Sequence, residues 1–379
     1  MTVIARRAAA PLVAVALAAS MTSCGAGSAG AGGEPGGRNG RIVFSNYGRE
    51  TTGLYSVRPD GSGRRKHARG LIERAEVSPD GSRVAFTTGR RQVMAVDIDS
   101  SKPRALTTGR TFKLGVAWSP DGEHLAFESI RYRFEGNIRI GVVDSEGGDQ
   151  RFLTSARAYS TSPSWFPDGR RIVYGCEHFS GNFGDVCVIG TDGSGKRVLV
   201  GSEFDEEDPA ISPDGEHVAL IAYGGHESAG RLVVVAADSG EEVFRTASTL
   251  NVERAEWSPD ASKLAYLTCR ASSCRLHVVA PDGSDEKAFA VDEVYDLVWA
   301  PDGSAIAFGQ ASVKVLDLES GAITRIAGDR NNQASPLAWQ RAAPNPFLSG
   351  GAPASSRAFR HTENGALDWN LKSRKFPAR

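Results

Sequence analysis

The chain has 379 residues, of which 40% are hydrophobic and 23% charged, and its formal net charge is −1. That balance excludes a disordered chain. Lacking a broad basic excess, it also gives no footing for nucleic acid as a partner.

The N-terminus reads as an export signal. Arg6 and Arg7 precede an apolar stretch from Ala8 to Ser20. This stretch is shorter than the roughly 20 residues that span a bilayer, and it fits the apolar core of a signal peptide. Met21-Thr22-Ser23-Cys24-Gly25 follows and resembles the lipobox of bacterial lipoproteins, with Met21 in place of the usual Leu. The resemblance implies cleavage before Cys24 and lipidation of its thiol, and acyl chains in pairs make a stable anchor. An ordinary secretory signal, cut after an Ala-Ala-Ser-like site, is the alternative. The Arg pair lacks the rest of a twin-arginine signal. Residues 1–23 are thus the signal, and 24–40, GAGSAGAGGEPGGRNG after the cysteine, a Gly-rich tether with nothing to bury.

The body is a repeat. Val77-Ser78-Pro79-Asp80-Gly81 recurs with Trp118, Trp165, Ile211, Trp257 and Trp299 in the first position, and successive prolines are 41, 47, 46, 46 and 42 residues apart. A period in the forties with several short strands is a propeller signature. After each Pro-Asp-Gly turn comes an alternating strand (RVAFTT, HLAFES, RIVYGC, HVALIA, KLAYLT, AIAFGQ), then a second such strand, a further Asp- or Gly-bearing turn and a short fourth strand. Pro presets the first turn position and Gly accepts the positive φ at the end. Near the N-terminus RIVFSN, LYSVRPDG and RKHA lack a first strand, and PLAWQ, around Trp339, lacks successors. Joined in one sheet they close the ring and remove the free edge. The prediction is an all-β protein: a β-propeller of seven four-stranded blades over residues 41–341, or 43 residues per blade. Six blades is the alternative.

The phrase WSPDG-x-x-(I/V/L)-A-(F/Y) resembles the TolB-like β-propeller repeat of bacterial envelope proteins, a repeat shared with prolyl-oligopeptidase-type enzymes. Val77 and Ile211 stand for Trp, and Ala261 for Gly. The resemblance implies the fold. It leaves function open, because the motif is the scaffold itself.

Five cysteines are present. With Cys24 lipidated, four remain. Cys176 and Cys187 flank one predicted hairpin tip, and Cys269 and Cys274 another, so two local disulfides are expected in an oxidising compartment. A four-thiolate metal site is the alternative, but no C-x-x-C spacing is present. The repeated Trp and Asp read as core and turn residues. Gly190-to-Arg197, GTDGSGKR, has Arg197 where a phosphate-binding loop needs a hydroxyl, and no helix follows. No nucleophile elbow occurs: His226-Glu227-Ser228-Ala229-Gly230 has His in the first glycine position. Residues 342–379 are too few for a hydrolase domain. No catalytic residue, metal or cofactor is predicted.

The strand order puts the Asp-Gly turns on one rim and the variable loops on the other, where binding residues tend to sit. Three variable segments are candidates for contact with a partner: Arg131, Tyr132, Arg133 and Phe134; His178, Phe179 and Phe183 in the disulfide-closed loop; and Phe204, Asp205, Glu206 and Glu207 in an acidic loop. Aromatic and Arg side chains are hot-spot chemistry, and the acids suit a basic partner or a cation. The tail, 342–379, has six basic and two acidic residues, and is expected to be flexible. The functional expectation is an exported lipoprotein on the extracytoplasmic face of the cell membrane, or on an outer membrane where there is one. Its propeller would be a non-enzymatic scaffold for another envelope protein or a ligand. The alternatives are a propeller enzyme or carbohydrate/peptide binder at the channel mouth, and an accessory or sensor lipoprotein beside a transport or signalling system.

Overall fold

The repeats alternate apolar and polar residues at their ends but run continuously apolar in their middle strands. Gly53–Val57 is buried at all five positions, and four of the six positions of Arg231–Ala236 are buried. A strand buried on both faces must be sandwiched between sheets. In the computed structural model this is what surrounds it. The described residues are 39–342, apart from 49–50, 89–91, 131–137, 178–183, 203, 225–228, 271–272, 293, 295 and 329–332.

Among the described residues twenty-eight strands form seven antiparallel four-stranded sheets. We number the blades from the N-terminus. The innermost strands are Gln333–Arg341 in blade 1, then Ile72–Val77, Phe112–Trp118, Ser160–Trp165, Asp205–Ile211, Val252–Trp257 and Asp296–Trp299 in blades 2 to 7. Each packs near the next blade around the ring, at the blade 5–6 junction through His217–Tyr223 against Val252–Trp257, and the last returns to the first. Blade 1 is the composite that the repeat count predicts. The C-terminal Gln333–Arg341 pairs with Asn39–Tyr47, through Ile42↔Trp339, Val43↔Ala338 and Phe44↔Pro336. Every strand of the ring lies within residues 39–341.

The core is seven clusters, one at each junction between neighbouring blades. At the junction of blades 4 and 5, for example, Val173, Val186 and Val188 meet Val218, Leu220, Val233 and Val235. The recurring Trp is a stitch across these junctions. Its indole N–H donates to the preceding blade's backbone: Trp118 to Glu76 O at 3.2 Å, Trp165 to Ala117 O at 3.1 Å, Trp257 to Ala210 O and Trp299 to Glu256 O, both at 3.0 Å. The Ser and Asp of the phrase build the turn itself. The Ser78 hydroxyl donates to Asp80 Oδ1 at 2.5 Å. The same oxygen accepts the Ser82 N–H, and the Arg83 N–H returns to Ser78 Oγ. Partial burial pushes the Asp80 carboxyl up, but these hydrogen bonds and Arg83 hold it below its usual range.

Both disulfides form. Cys176–Cys187 and Cys269–Cys274 each join the two middle strands of one blade, 4 and 6 respectively.

Candidate functional site

The inner strands converge on an axial channel, and their side chains there need not be apolar because no neighbouring blade covers them. The wider chamber, about 680 Å³, opens at the turn rim. Its wall is the repeat itself, with Trp118, Trp165, Trp257, Trp299 and Trp339 and the prolines of the repeat. At blades 2 and 5 the wall thins to Val77 and Ile211. Two narrower chambers of about 330 and 190 Å³ continue inward and share Arg74, Glu76 and Arg254.

The channel is ionic. Glu76 and Glu256 line the same chamber, and enclosure pushes both up to about 8. Glu76 Oε2 accepts the Trp118 N–H at 2.7 Å, which opposes the rise. For Glu256, Asp296 and Glu76 add to the rise and Arg254 opposes it. Arg254 lies 3.3 Å from Asp296, which also accepts the Ser335 hydroxyl at 3.2 Å. Glu128 is likewise raised by burial. It accepts the Ser162 N–H at 2.8 Å, while the Ser162 hydroxyl donates to Asp208 at 2.6 Å. Ser162 and Asp208 both sit at positive φ, 50° and 49°, where two inner strands bulge. A bulge re-aims a side chain, and here it brings a hydroxyl and two carboxylates together.

The acidic segment differs from its predicted place. Asp205, Glu206 and Glu207 are the start of the inner strand of blade 5, not a rim loop, paired with Tyr223, Ala222 and Ile221. Phe204 packs on the blade 4–5 core with the Arg245 guanidinium 5.5 Å above its ring. Asp205 accepts the Gly184 N–H at 2.6 Å. Glu206 is 3% exposed, is wedged towards blade 4 and bonded by the Ser202 hydroxyl. Burial, with Asp185 and Asp205 nearby, pushes it up to about 7. Glu207 and Asp208 are exposed, and Asp208 lines the channel. Arg131, Tyr132, Arg133, Phe134, His178, Phe179, Phe183 and Cys24 lie outside the described residues.

Sequence reasoning missed the channel carboxylates. Glu76 and Glu256 precede the repeat's first position in two blades, and the pattern ERAEV/ERAEW was their only signal. It also missed two polar chains. Thr268 Oγ1, His277 Nε2 and Nδ1, and Glu286 Oε1 lie in series at 3.0 and 2.6 Å. These are triad distances, but His277 is 7% exposed and its ring lies flat on Tyr266 at 4.5 Å, so it holds the blade together rather than facing a substrate. Ser56 and the Ser100 carbonyl bracket the buried His67 in the same way. The repeated Asp-Gly-Glu-His brings Asp121, Glu123 and His124, and Asp214, Glu216 and His217, to ligand spacing. Asp121 and Asp214 already serve their own turns.

The family model described as TolB beta propeller domain matches residues 41–243. No curated protein matches the sequence. Among solved structures, a TolB from Agrobacterium tumefaciens superposes with a TM-score of 0.52 at 18% identity, over 78% of this chain and 98% of that one. Oligogalacturonate lyase of Vibrio parahaemolyticus gives 0.57 at 13%, over 77% and 87%. A puromycin-hydrolyzing peptidase of Mycobacterium tuberculosis gives 0.58 at 16%, over 78% and 55%. At these identities the likeness is one of fold.

Proposed function

Since the chain belongs to the TolB beta propeller domain family, a scaffold that does not by itself fix an activity, we propose that it is an exported, lipid-anchored binding module whose axial channel takes a cationic group of an envelope protein or ligand. The observation that carries this reading is the convergence of Glu76, Glu128, Asp208, Glu256 and Asp296 on one channel, against Arg74 and Arg254. Carboxylates gathered in an enclosed site favour a positive guest. The lyase and peptidase activities of the structural neighbours remain theirs. Export is supported by the signal-like N-terminus and by two disulfides, which persist in oxidising compartments. The anchor is supported by the lipobox resemblance around Cys24. Among the described residues no helix is long and apolar enough to cross a membrane.

Two experiments test the reading. A photo-crosslinking residue at Ile211, facing the channel, should give a defined adduct in intact cells. The same residue at Val243, exposed on an outer strand, should not, and Glu76→Gln with Glu256→Gln should abolish the Ile211 adduct. Indistinguishable adducts from Ile211 and Val243 would remove the channel from the function. Cys24→Ala should move the protein out of the membrane fraction, and unchanged retention would remove the lipid anchor. The sign of the pH effect follows from the raised carboxyls. Below pH 8 the guest must displace a proton from Glu76 or Glu256, so affinity should climb as pH rises from 6 to about 8 and then level off.

A further inference from the structure

The outer strand of each blade is its exposed edge, and a charge on such an edge guards against pairing with another chain. In six blades one cation suffices: Arg104, Arg151, Arg197, Arg245, Lys287 and Arg325. Three of these are matched, by Glu146, Asp149 and Glu242 respectively. Blade 1 departs from this rule. Its outer strand, Arg65–Arg69, reads RKHAR, and the turn before it adds Arg58 and Arg64.

These cations converge. A Cβ placed on Gly63 would lie 2.7 Å from one guanidinium nitrogen of Arg58 and 3.7 Å from one of Arg41, so both side chains flank the same turn. Arg41 is fixed there by Ser56 Oγ at 2.7 Å and by the Gly63 carbonyl. Burial and then the charges of Arg65 and Arg58 hold its guanidinium below its ordinary value. Arg64 lies 4.5 Å over the Tyr55 ring and Lys66 5.2 Å from it. Asp60 and Asp99 offset only part of this charge, with Arg65 paired to Asp99. Leu71, 54% exposed, stands at the end of the strand.

The place of the cluster matters as much as its charge. In antiparallel order the second strand of a blade starts, and its third-to-fourth turn lies, on the same rim. In blade 1 the chain from Cys24 enters at Asn39, the start of that second strand, and residues 58–64 are that turn. Fully extended, residues 25–38 reach at most about 50 Å. The other blades place Asp80, Asp121, Asp168, Asp214, Asp260 and Asp302 on this rim. Blade 4 also carries cations at this rim, Arg170, Arg171, Lys196 and Arg197, with Arg171 paired to Asp168 and Asp238; the blade into which the tether runs holds the denser cluster.

We propose that the basic turn and outer edge of blade 1 bind the headgroups of anionic phospholipid, so that the anchored ring sits with blade 1 against the membrane. A lipid chain combined with a basic patch is a two-signal attachment, and each Lys or Arg at an anionic surface strengthens it by several-fold. The orientation rests on the lipid-anchor reading above, whereas the headgroup chemistry does not.

The test uses the whole mature chain, residues 24–379, made without lipid as Cys24→Ser, so that it is blind to whether Cys24 is acylated. It should co-sediment with phosphatidylcholine vesicles holding about 30 mol% phosphatidylglycerol, and not with phosphatidylcholine alone. Raising NaCl from about 0.05 to about 0.5 M should release it. Reversing Arg58, Arg64 and Arg65 to Glu should weaken binding at least about tenfold. Reversing Arg151, Arg197 and Arg325 makes the same change of net charge and should weaken it less than about threefold. No binding to the anionic vesicles, or equal loss in both triple variants, would overturn the proposal. Circular dichroism of each variant shows that the ring is intact.

Discussion

Lys113 shows how much one side chain can decide. It is 1% exposed on the inner strand of blade 3, where its ammonium donates to the Thr111 carbonyl at 3.1 Å and hydroxyl at 2.8 Å, 5.7 Å from the Phe127 ring centre. Burial, and then Arg139, lowers it to about 8. A lysine whose folded pKa lies below its unfolded value costs stability wherever it must be charged in both states. That cost is complete below pH 8 and fades as pH rises towards about 10.4, where the unfolded chain also loses its proton. Wild-type stability should therefore gain from pH 8 to 10, and Lys113→Met should remove most of that gain. The same variant should be more stable than wild type at neutral pH by about 1–2 kcal/mol. Denaturant titrations at pH 7 and 10 check both, and an unchanged slope with pH would show that the ammonium is adequately solvated. Nothing in FKLGVAW announces a buried lysine. The alternation puts it on a wall, but whether that wall meets a blade or the channel depends on the ring.

At the scale of the element, the Pro-Asp-Gly turn is one device used repeatedly, and its sites differ in what lies above them. Gly81 and Gly303 share a φ of +75°. A Cβ at Gly303 would meet nothing within 4 Å, whereas one at Gly81 would fall 2.1 Å from the Arg341 carbonyl of the closing strand. Ala261 already occupies this position in blade 6 at a φ of +60°. Gly303→Ala should thus cost only the left-handed backbone penalty, about 1 kcal/mol, and Gly81→Ala roughly 2–4 kcal/mol. Equal shifts of the denaturant midpoint at constant m-value would show that the seam yields without cost. Turns and middle strands were legible in the sequence because their requirements are local: Gly where φ is positive, apolar residues where two sheets press. The inner strands were not. DEEDPAI carries four acids in a row with different tasks, Asp205 and Glu206 turned to blade 4 and Asp208 to the channel, and the bulge at Asp208 breaks the period-2 pattern that marks a strand. Charge thus read as loop where the chain is strand, and with it the place of Asp208 in the channel went unseen.

For the whole molecule, the joining of the two chain ends was visible from the arithmetic of incomplete repeats, a first strand without successors and three strands without a first. The structure adds what the closure supports. Trp339 and Ala334 belong to the cluster between blades 7 and 1, and Ala338 to that between blades 1 and 2. Removing residues 335–341 therefore opens two of the seven junctions at once. The expected result is a melting temperature lower by on the order of 10 °C or more, or loss of a single cooperative transition in calorimetry. A transition at the wild-type temperature would mean that the remaining six blades hold the ring without its seam.

That seam also sets a clock. Asn39–Tyr47 is the first strand to be made, yet its inner partner, Gln333–Arg341, is the last. At ordinary synthesis rates the intervening stretch of about 290 residues takes roughly 15–60 s. For all of that interval the first hairpin shows a bare row of backbone donors and acceptors, a template for any strand of matching pattern. The closing strand of a second nascent copy is such a strand. Crowded export thus sets a chain's own late arrival against its neighbour's, and the outcome of that race is either a monomer or a strand-exchanged pair.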